Sequence, residues 1–478
     1  MTTYPDVQLY IDGAWRTSAA HLPVINPATE EVVGQVPVAT SQDLDDAITA
    51  ASKGFEVWGQ TPPKERADLI RAATALLRER QDEIAYAITL EHGKPFPQAQ
   101  AEVIRGCEFF EWDAGEALRT YGRVIPSAPG VKYVVHHQPI GPVAAFSPWN
   151  FPMSQPSRKV AGAVASGCSI ILKAAEETPA GAHHIARAFH DVGLPAGVLN
   201  LVSGVPADIS GHLISNDAIK LVAFTGSTAV GRSLTSLASD NMTPVLMELG
   251  GHAPVIVCED TDVDAAALTS AIRAMRNAGQ VCTSPTRFFV HESIFDRFLG
   301  GFTDRAAATV VGNGMDPGVE MGPLANERRV AALTAFVADA VDAGADLLTG
   351  GSRIGTTGYF FEPTVLANVP DDARIMTEEP FGPIAIVNPV ESIDAAIERA
   401  NSLPYGLAAY GFTNRADYVD QMVERVEAGN LSINTLEASL PETPFGGVKS
   451  SGYGREGGAE GLHHYMVVKN VSHSISIV

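Results

Sequence analysis

Cysteine is scarce in this 478-residue chain: four residues, Cys107, Cys168, Cys258 and Cys282, at irregular spacing. No CxxC pair occurs, so neither a metal site nor a disulfide framework is expected. Positive charge is also short. Thirty-three Lys and Arg stand against 55 Asp and Glu, a formal net charge of −22. A surface of that sign repels phosphate and argues against nucleic acid and anionic membranes as partners. No apolar run is long enough to span a bilayer. The opening stretch, MTTYPDVQLYIDGAW, has no basic patch followed by an apolar stretch, so no secretory leader is read there. A reducing cytoplasm is the simplest setting. Internal repeats and low-complexity linkers are missing as well.

What is present is a folded composition, 45% hydrophobic and 18% charged. The length exceeds one ordinary core, so two or three domains are expected. From about residue 140 strand-like and helix-like patterns alternate. GPVAAFS, SIILKAA, GVLNLVSG and KLVAFTGS read as buried strands, and TPVLMELGG and APVIVCE continue the series. SRKVAGAVASG has helical spacing, and TPAGAHHIARAFHDVG reads as a helix with Thr178 as N-cap, Pro179 at its first position and Gly193 at its end. A similar series runs from about 285 to 430. Such alternation predicts α/β architecture with mostly parallel sheets covered by helices. Two segments, 123–139 and 462–478, are instead β-branched and alternating. They could pair with each other or extend the sheet of a neighbouring subunit.

The candidate chemistry starts at Cys282, in GQVCTSPTR. A thiolate attacks carbonyl carbon well and needs a positive or hydrogen-bonding environment to ionise. Alone, a cysteine is more often packing, and Cys107, Cys168 and Cys258 are read that way. Glu248, in MELGGHAP, ends an apolar run and precedes Gly250 and Gly251. It is either a general base or an ordinary strand-end carboxylate. Asn150, in PWNFPMSQPSRKV, lies where a strand-to-helix crossover opens. Its amide could donate to an oxyanion or cap the helix. FTGSTAVG, Phe224 to Gly231, is a glycine-rich turn suited to a pyrophosphate, though not the usual dinucleotide spacing. Lys173 and Glu176 could both reach a ribose, or form a solvated charge pair.

Together, in this order, PWNFP, KxAEETP, FTGST…G, ELGG, GQVC and EEPFGP resemble the NAD(P)-dependent aldehyde dehydrogenase superfamily over nearly the whole chain. The resemblance implies an aldehyde dehydrogenase fold: a Rossmann-like cofactor domain (1–122 and 140–247), an α/β catalytic domain (248–461) and a β-strand oligomerisation flap (123–139 and 462–478). It implies a homodimer or homotetramer. It makes Cys282 the nucleophile, Asn150 with the Cys282 backbone N–H the oxyanion donors, and Glu248 the base that activates water. Lys159 and Glu456 match groups that relay protons and order the site. Trp149, Lys173, Glu176, Gly226, Ser227, Gly231, Glu379 and Phe381 match the cofactor contacts. Members that pass the acyl group to coenzyme A lack the base, so Glu248 points to release of a free acid. A carboxylate at Glu176 repels a 2′-phosphate, which favours NAD, with NADP possible. His252 departs from the more common lysine after ELGG.

Arg158, Arg276 and Ser439 resemble the anion-binding set of succinate semialdehyde dehydrogenases. An arginine fork suits a carboxylate, and Arg158, eight positions after Asn150, could share a helix face and a cavity with it. The loops around Cys282 and Ser439 also resemble 2-oxoglutarate semialdehyde dehydrogenases. The implied substrate is an anionic aldehyde, a carboxylated semialdehyde. Some succinate semialdehyde enzymes carry a redox-switch cysteine two after the nucleophile; Ser284 stands there instead. Open alternatives are an enzyme for uncharged aldehydes with both arginines in structural ion pairs, a coenzyme A acylating enzyme, and a non-catalytic descendant of the fold.

Overall fold

Four short apolar runs set the frame. Val143–Phe146, Ile170–Lys173, Leu199–Val202 and Leu221–Thr225 are buried at every residue. Runs without polar alternation fit strands covered on both faces. In the computed structural model, which describes residues 3–475, they lie side by side in an eight-stranded sheet. Its central strands, Val245–Glu248 included, are parallel. Antiparallel additions close both edges: Gly452–Tyr453 beside Glu248, and Leu9–Ile11 with Ala14–Arg16 at the far side.

A second sheet has seven strands in the order 346–349, 364–367, 384–390, 285–291, 253–257, 408–412 and 430–433. All its pairings are parallel except the first. The apolar series thus divides between Val245–Glu248 and Ala253–Val257, which enter different sheets. The second series starts at residue 253, earlier than the expected 285. Between those two strands lie only Leu249, Gly250, Gly251 and His252.

The two alternating segments pair with each other. Val131–Pro139 runs antiparallel to Met466–Ser474, from Met466 opposite Pro139 to Ser474 opposite Val131, and Arg123–Ile125 adds a third strand. Residues 461–465 form a 3₁₀ turn packed in the core, so the strand starts four residues later than 462. Residues 1–2 and 476–478, the ends of two expected segments, lie outside the described residues.

The helix expected after Thr178 spans Ala180–Asp191, with Pro179 at its N-cap. The Thr178 hydroxyl does not cap it; it donates to the Trp149 carbonyl at 3.1 Å. Asn150 does not share a helix with Arg158. The helix Ser154–Ser166 begins after it, so Asn150 sits in the preceding turn. Asn150 does not cap that helix either, since Met153 occupies the N-cap. Cys107, Cys168 and Cys258 are buried, and Cys282 is half-buried.

Candidate active site

The first sheet presents the carboxyl ends of its parallel strands to a cleft, where loops carry ligands in open α/β sheets. Pro148 to Asn150 leave the strand ending at Phe146, Gly226 and Ser227 leave the strand ending at Thr225, and Glu248 ends its own strand. Facing them are Cys282, just ahead of the strand Pro285–His291, and Glu379 with Phe381, just ahead of Ile384–Val390. These residues line a cavity of about 350 Å³. A second cavity of about 400 Å³ is lined by Phe109, Phe151, Arg158, Arg276, Ser439 and Phe445, among others. Cys282 and Gln155 line both cavities. The thiol therefore stands at the junction of two chambers.

The loop that delivers Cys282 is bent. Asn277, Ala278 and Gly279 take φ of 55°, 53° and 66° in succession. Two non-glycine residues in the left-handed region carry strain, which accumulates at functional sites. Gly279 is required for a second reason: a Cβ there would lie 2.0 Å from the Gly382 carbonyl oxygen. The bend is tied down by side chains. Asn277 Nδ2 donates to the carbonyls of Asn150 and Gln280, each at 3.2 Å, and Asn150 Nδ2 donates to the Gln280 carbonyl at 3.0 Å. One Nδ2 hydrogen of Asn150 is left for another acceptor. Burial, then Glu379 and Glu248, push the Cys282 thiol up to about 12.

Glu248 is buried and neither carboxylate oxygen has a partner. Burial, and then Glu456, hold its pKa well above the usual carboxylate range; Lys159, Arg158 and Arg455 pull the other way. Lys159 Nζ donates to Glu456 Oε1 at 2.8 Å, both buried. Gly452 lets the edge strand close on Glu248. It pairs with Glu248 at φ +116°, and a Cβ there would fall 1.9 Å from the Met247 carbonyl oxygen.

The first chamber suits a dinucleotide. Ser227 caps the twelve-residue helix Thr228–Ser239, whose N-terminus can take a phosphate. The buried Thr225 hydroxyl has no partner. A Cβ at Gly250 would come 2.7 Å from Glu379 Oε2, and one at Gly231 would strike Leu249 at 2.4 Å. Trp149 meets Phe381 edge to face, with centroids 5.5 Å apart. Arg329 donates to the carbonyls of Pro380 and Phe381 and fixes the Glu379 loop. Burial pushes Glu379 up to about 8. Lys173 and Glu176 form an ion pair with each other and lie outside the lining of this chamber.

The second chamber is cationic. Arg105 pairs with Glu108, Arg273 with Glu437, and Glu102 with Lys94. Arg158 and Arg276 have no ion pair among the described residues. Arg158 is 5% exposed, donates Nη2 to the Ser439 hydroxyl and leaves Nη1 buried without a partner. Its guanidinium lies 3.9 Å from the Phe109 ring centroid and 4.9 Å from that of Phe445. His252, the departure after ELGG, is buried between Thr286 Oγ1 and the Ile375 carbonyl, both at 2.7 Å. It packs away from both chambers.

Sequence reasoning missed Lys94, Glu102, Asn277, Gln155 and Arg329. No local pattern marks them. Lys94, Glu102, Asn277 and Arg329 act through partners distant in the chain, and Gln155 through its place in both chambers.

A cleft that presents one thiol between a chamber beside a helix N-terminus and a cationic one fits a cysteine-centred oxidoreductase. Residues 15–471 match the aldehyde dehydrogenase family, and the chain belongs to it. It is 45% identical over 465 residues to a 4-(hydroxymethyl)benzenesulfonate dehydrogenase of Comamonas testosteroni, covering 97% of each chain. It is 42% identical to a succinate-semialdehyde dehydrogenase of Paenarthrobacter nicotinovorans, covering 91% of this chain and 97% of the other. The solved succinate-semialdehyde dehydrogenase of Burkholderia pseudomallei superposes with a TM-score of 0.96 at 39% identity, over 98% of both chains. The protein is an oxidoreductase acting on aldehydes with a nicotinamide cofactor. No helix among the described residues is long and apolar enough to cross a membrane.

Proposed function

We propose that this enzyme oxidises a small aldehyde with a fixed anionic tail, a carboxylated semialdehyde, to its acid. The observation that carries the reading is Arg158: a buried guanidinium with a free Nη1, in the chamber that Cys282 shares. A buried guanidinium nitrogen without a hydrogen-bond partner is costly, and a substrate carboxylate or sulfonate supplies that partner. Arg276, half-buried, adds a second cation on the chamber wall, and Ser439 a hydroxyl.

The Cys282 thiol gives its proton to solvent, and Sγ then adds to the aldehyde carbon. Asn150 Nδ2–H and the Cys282 backbone N–H take the oxyanion. A nicotinamide cofactor held in the first chamber would supply the hydride acceptor for that carbon. A thioester remains on Cys282. Glu248 takes a proton from water, the hydroxide adds to the thioester carbon, and the C–S bond breaks to release acid and thiolate. Lys159 and Glu456 set the charge around Glu248. The groups that would hold the cofactor are Trp149, Gly226, Ser227, Gly231, Glu379 and Phe381, with Lys173 and Glu176 at the ribose. Glu176 favours NAD over the 2′-phosphorylated form. We divide the chain functionally at the two sheets, with cofactor on the first and nucleophile on the second. The three-stranded sheet serves assembly of a homodimer or homotetramer.

A second reading keeps the anion and changes the body. Three phenylalanines, Phe109, Phe151 and Phe445, line the cationic chamber, and a relative at 45% identity acts on a benzenesulfonate by name. An aryl aldehyde sulfonate would place its ring on these faces.

The test is kcat/KM with NAD for succinate semialdehyde, 2-oxoglutarate semialdehyde, 4-formylbenzenesulfonate and butanal, side by side. An anionic compound should lead butanal by about a hundredfold, roughly 2.7 kcal/mol of transition-state binding. Equal values for butanal would overturn the anion reading.

A further inference from the structure

Lys94 and Glu102 form a buried ion pair, each side chain 1% exposed, on the wall behind Asn150. Lys94 follows Gly93, whose φ of 86° ends the helix Gln81–His92. Glu102 lies on the next helix, Phe96–Glu116. Lys94 Nζ donates to the Asn150 carbonyl at 3.0 Å and lies 4.4 Å from the Phe151 ring centroid. Glu102 Oε1 accepts from the backbone N–H of Met153 at 2.8 Å and of Ser154 at 3.2 Å. These two donors open the helix Ser154–Ser166, which has no side-chain cap of its own. Glu102 therefore caps that helix from another element.

We propose that Lys94 and Glu102 are positioning residues that hold the Asn150 amide at Cys282. This rests on the oxyanion role of Asn150 proposed above. The pair's contacts outside itself converge on residues 150–154, the turn that carries Asn150 into the helix. One charge grips the turn's carbonyl and the opposite charge grips its amides. The turn is thereby held at both ends, with Asn277 as the second donor to the Asn150 carbonyl. A buried ion pair adds little net stability over apolar packing of the same volume, so a fold requirement alone does not account for it. The arrangement leaves the Asn150 side chain one contact, the Gln280 carbonyl, and one hydrogen for the reaction.

The experiment is a double-mutant cycle of Lys94→Met with Asn150→Ala, read by the single-turnover NADH burst, aldehyde KM and NAD affinity. Lys94→Met in the intact enzyme should slow the burst by about tenfold or more, short of the 10²–10³ that loss of an oxyanion donor costs. KM and NAD affinity should hold within about twofold. In the Asn150→Ala background the same change should add less than about twofold, the limit of independent effects. An equal loss in both backgrounds would overturn the positioning role. If Lys94→Met does not fold, Glu102→Gln enters the same cycle with the same expected outcomes. Asn150→Ala with an unchanged burst would instead overturn the oxyanion role itself.

Discussion

Lys159 Nζ lies 2.8 Å from Glu456 Oε1, a buried pair joined across 297 residues of chain. Both members act electrostatically on Glu248, in opposite directions. Replacing Glu456 with Gln removes the charge that raises Glu248 and leaves Lys159 to lower it. The pH at which thioester hydrolysis gains its base should fall. Lys159→Met should move it up, and should also destabilise the fold, by about 3–5 kcal/mol for a buried charge left alone. The pH profile of the deacylation rate checks both shifts; no movement in either variant would break the link to Glu248.

Glu248→Gln should keep the NADH burst and suppress steady turnover, because hydride transfer precedes the step that needs the base. Its elevated pKa also predicts stability. A carboxylate whose folded-state pKa is raised binds more protons folded than unfolded between the two values. Its contribution is fully present below the usual carboxylate range and is lost as pH rises through the folded-state value. Glu248→Gln should therefore melt above the wild type at alkaline pH and close to it at pH 4. Thermal melts across that range test the sign.

Cys282→Ala should abolish aldehyde oxidation while NAD titration stays intact. Surviving turnover at more than about one part in a thousand, a loss smaller than removal of a covalent nucleophile usually brings, would remove Cys282 from the mechanism.

Arg158→Met with Arg276→Met should weaken anionic aldehydes and spare butanal. A charge-assisted hydrogen bond contributes about 1.5–3 kcal/mol, so each change should cost roughly ten- to a hundredfold in kcat/KM. Methionine keeps apolar bulk between Phe109 and Phe445. A parallel loss for butanal would mean that the arginines hold the fold.

Glu176→Gln should raise kcat/KM with NADP relative to NAD, since the repelling charge is gone. In this structure Glu176 is held by Lys173, so the freed ammonium would add attraction for a 2′-phosphate. An unchanged cofactor ratio would show that selectivity lies elsewhere.

The motif residues were legible as a set. Glu248 beside two glycines and Cys282 in GQVC are ambiguous singly, and only the order of the motifs along the chain, matched to a family, singled them out. The α/β class followed from buried runs spaced by helical patterns. Two local readings missed. Thr178 has the chemistry of a cap, yet its hydroxyl is taken by the Trp149 carbonyl. Arg158 reaches its chamber from a helix that Asn150 does not belong to. The division of the apolar series between two sheets was invisible too, because the four residues between Glu248 and Ala253 carry no mark of a sheet change.

The sequence by itself determined the class of this protein: its strands, its short supply of positive charge, and the amide, carboxylate and thiol in order along the chain. Tertiary structure decided which charges are answered. Arg273 finds Glu437, Lys94 finds Glu102, Lys159 finds Glu456, and Arg158 forms no ion pair among the described residues, although Glu456, Glu248 and Asp113 act on it electrostatically. Ion pairing depends on distance and burial, and both are set by how separate elements pack together. The guanidinium nitrogen of Arg158 left without a partner exists only in the folded chain.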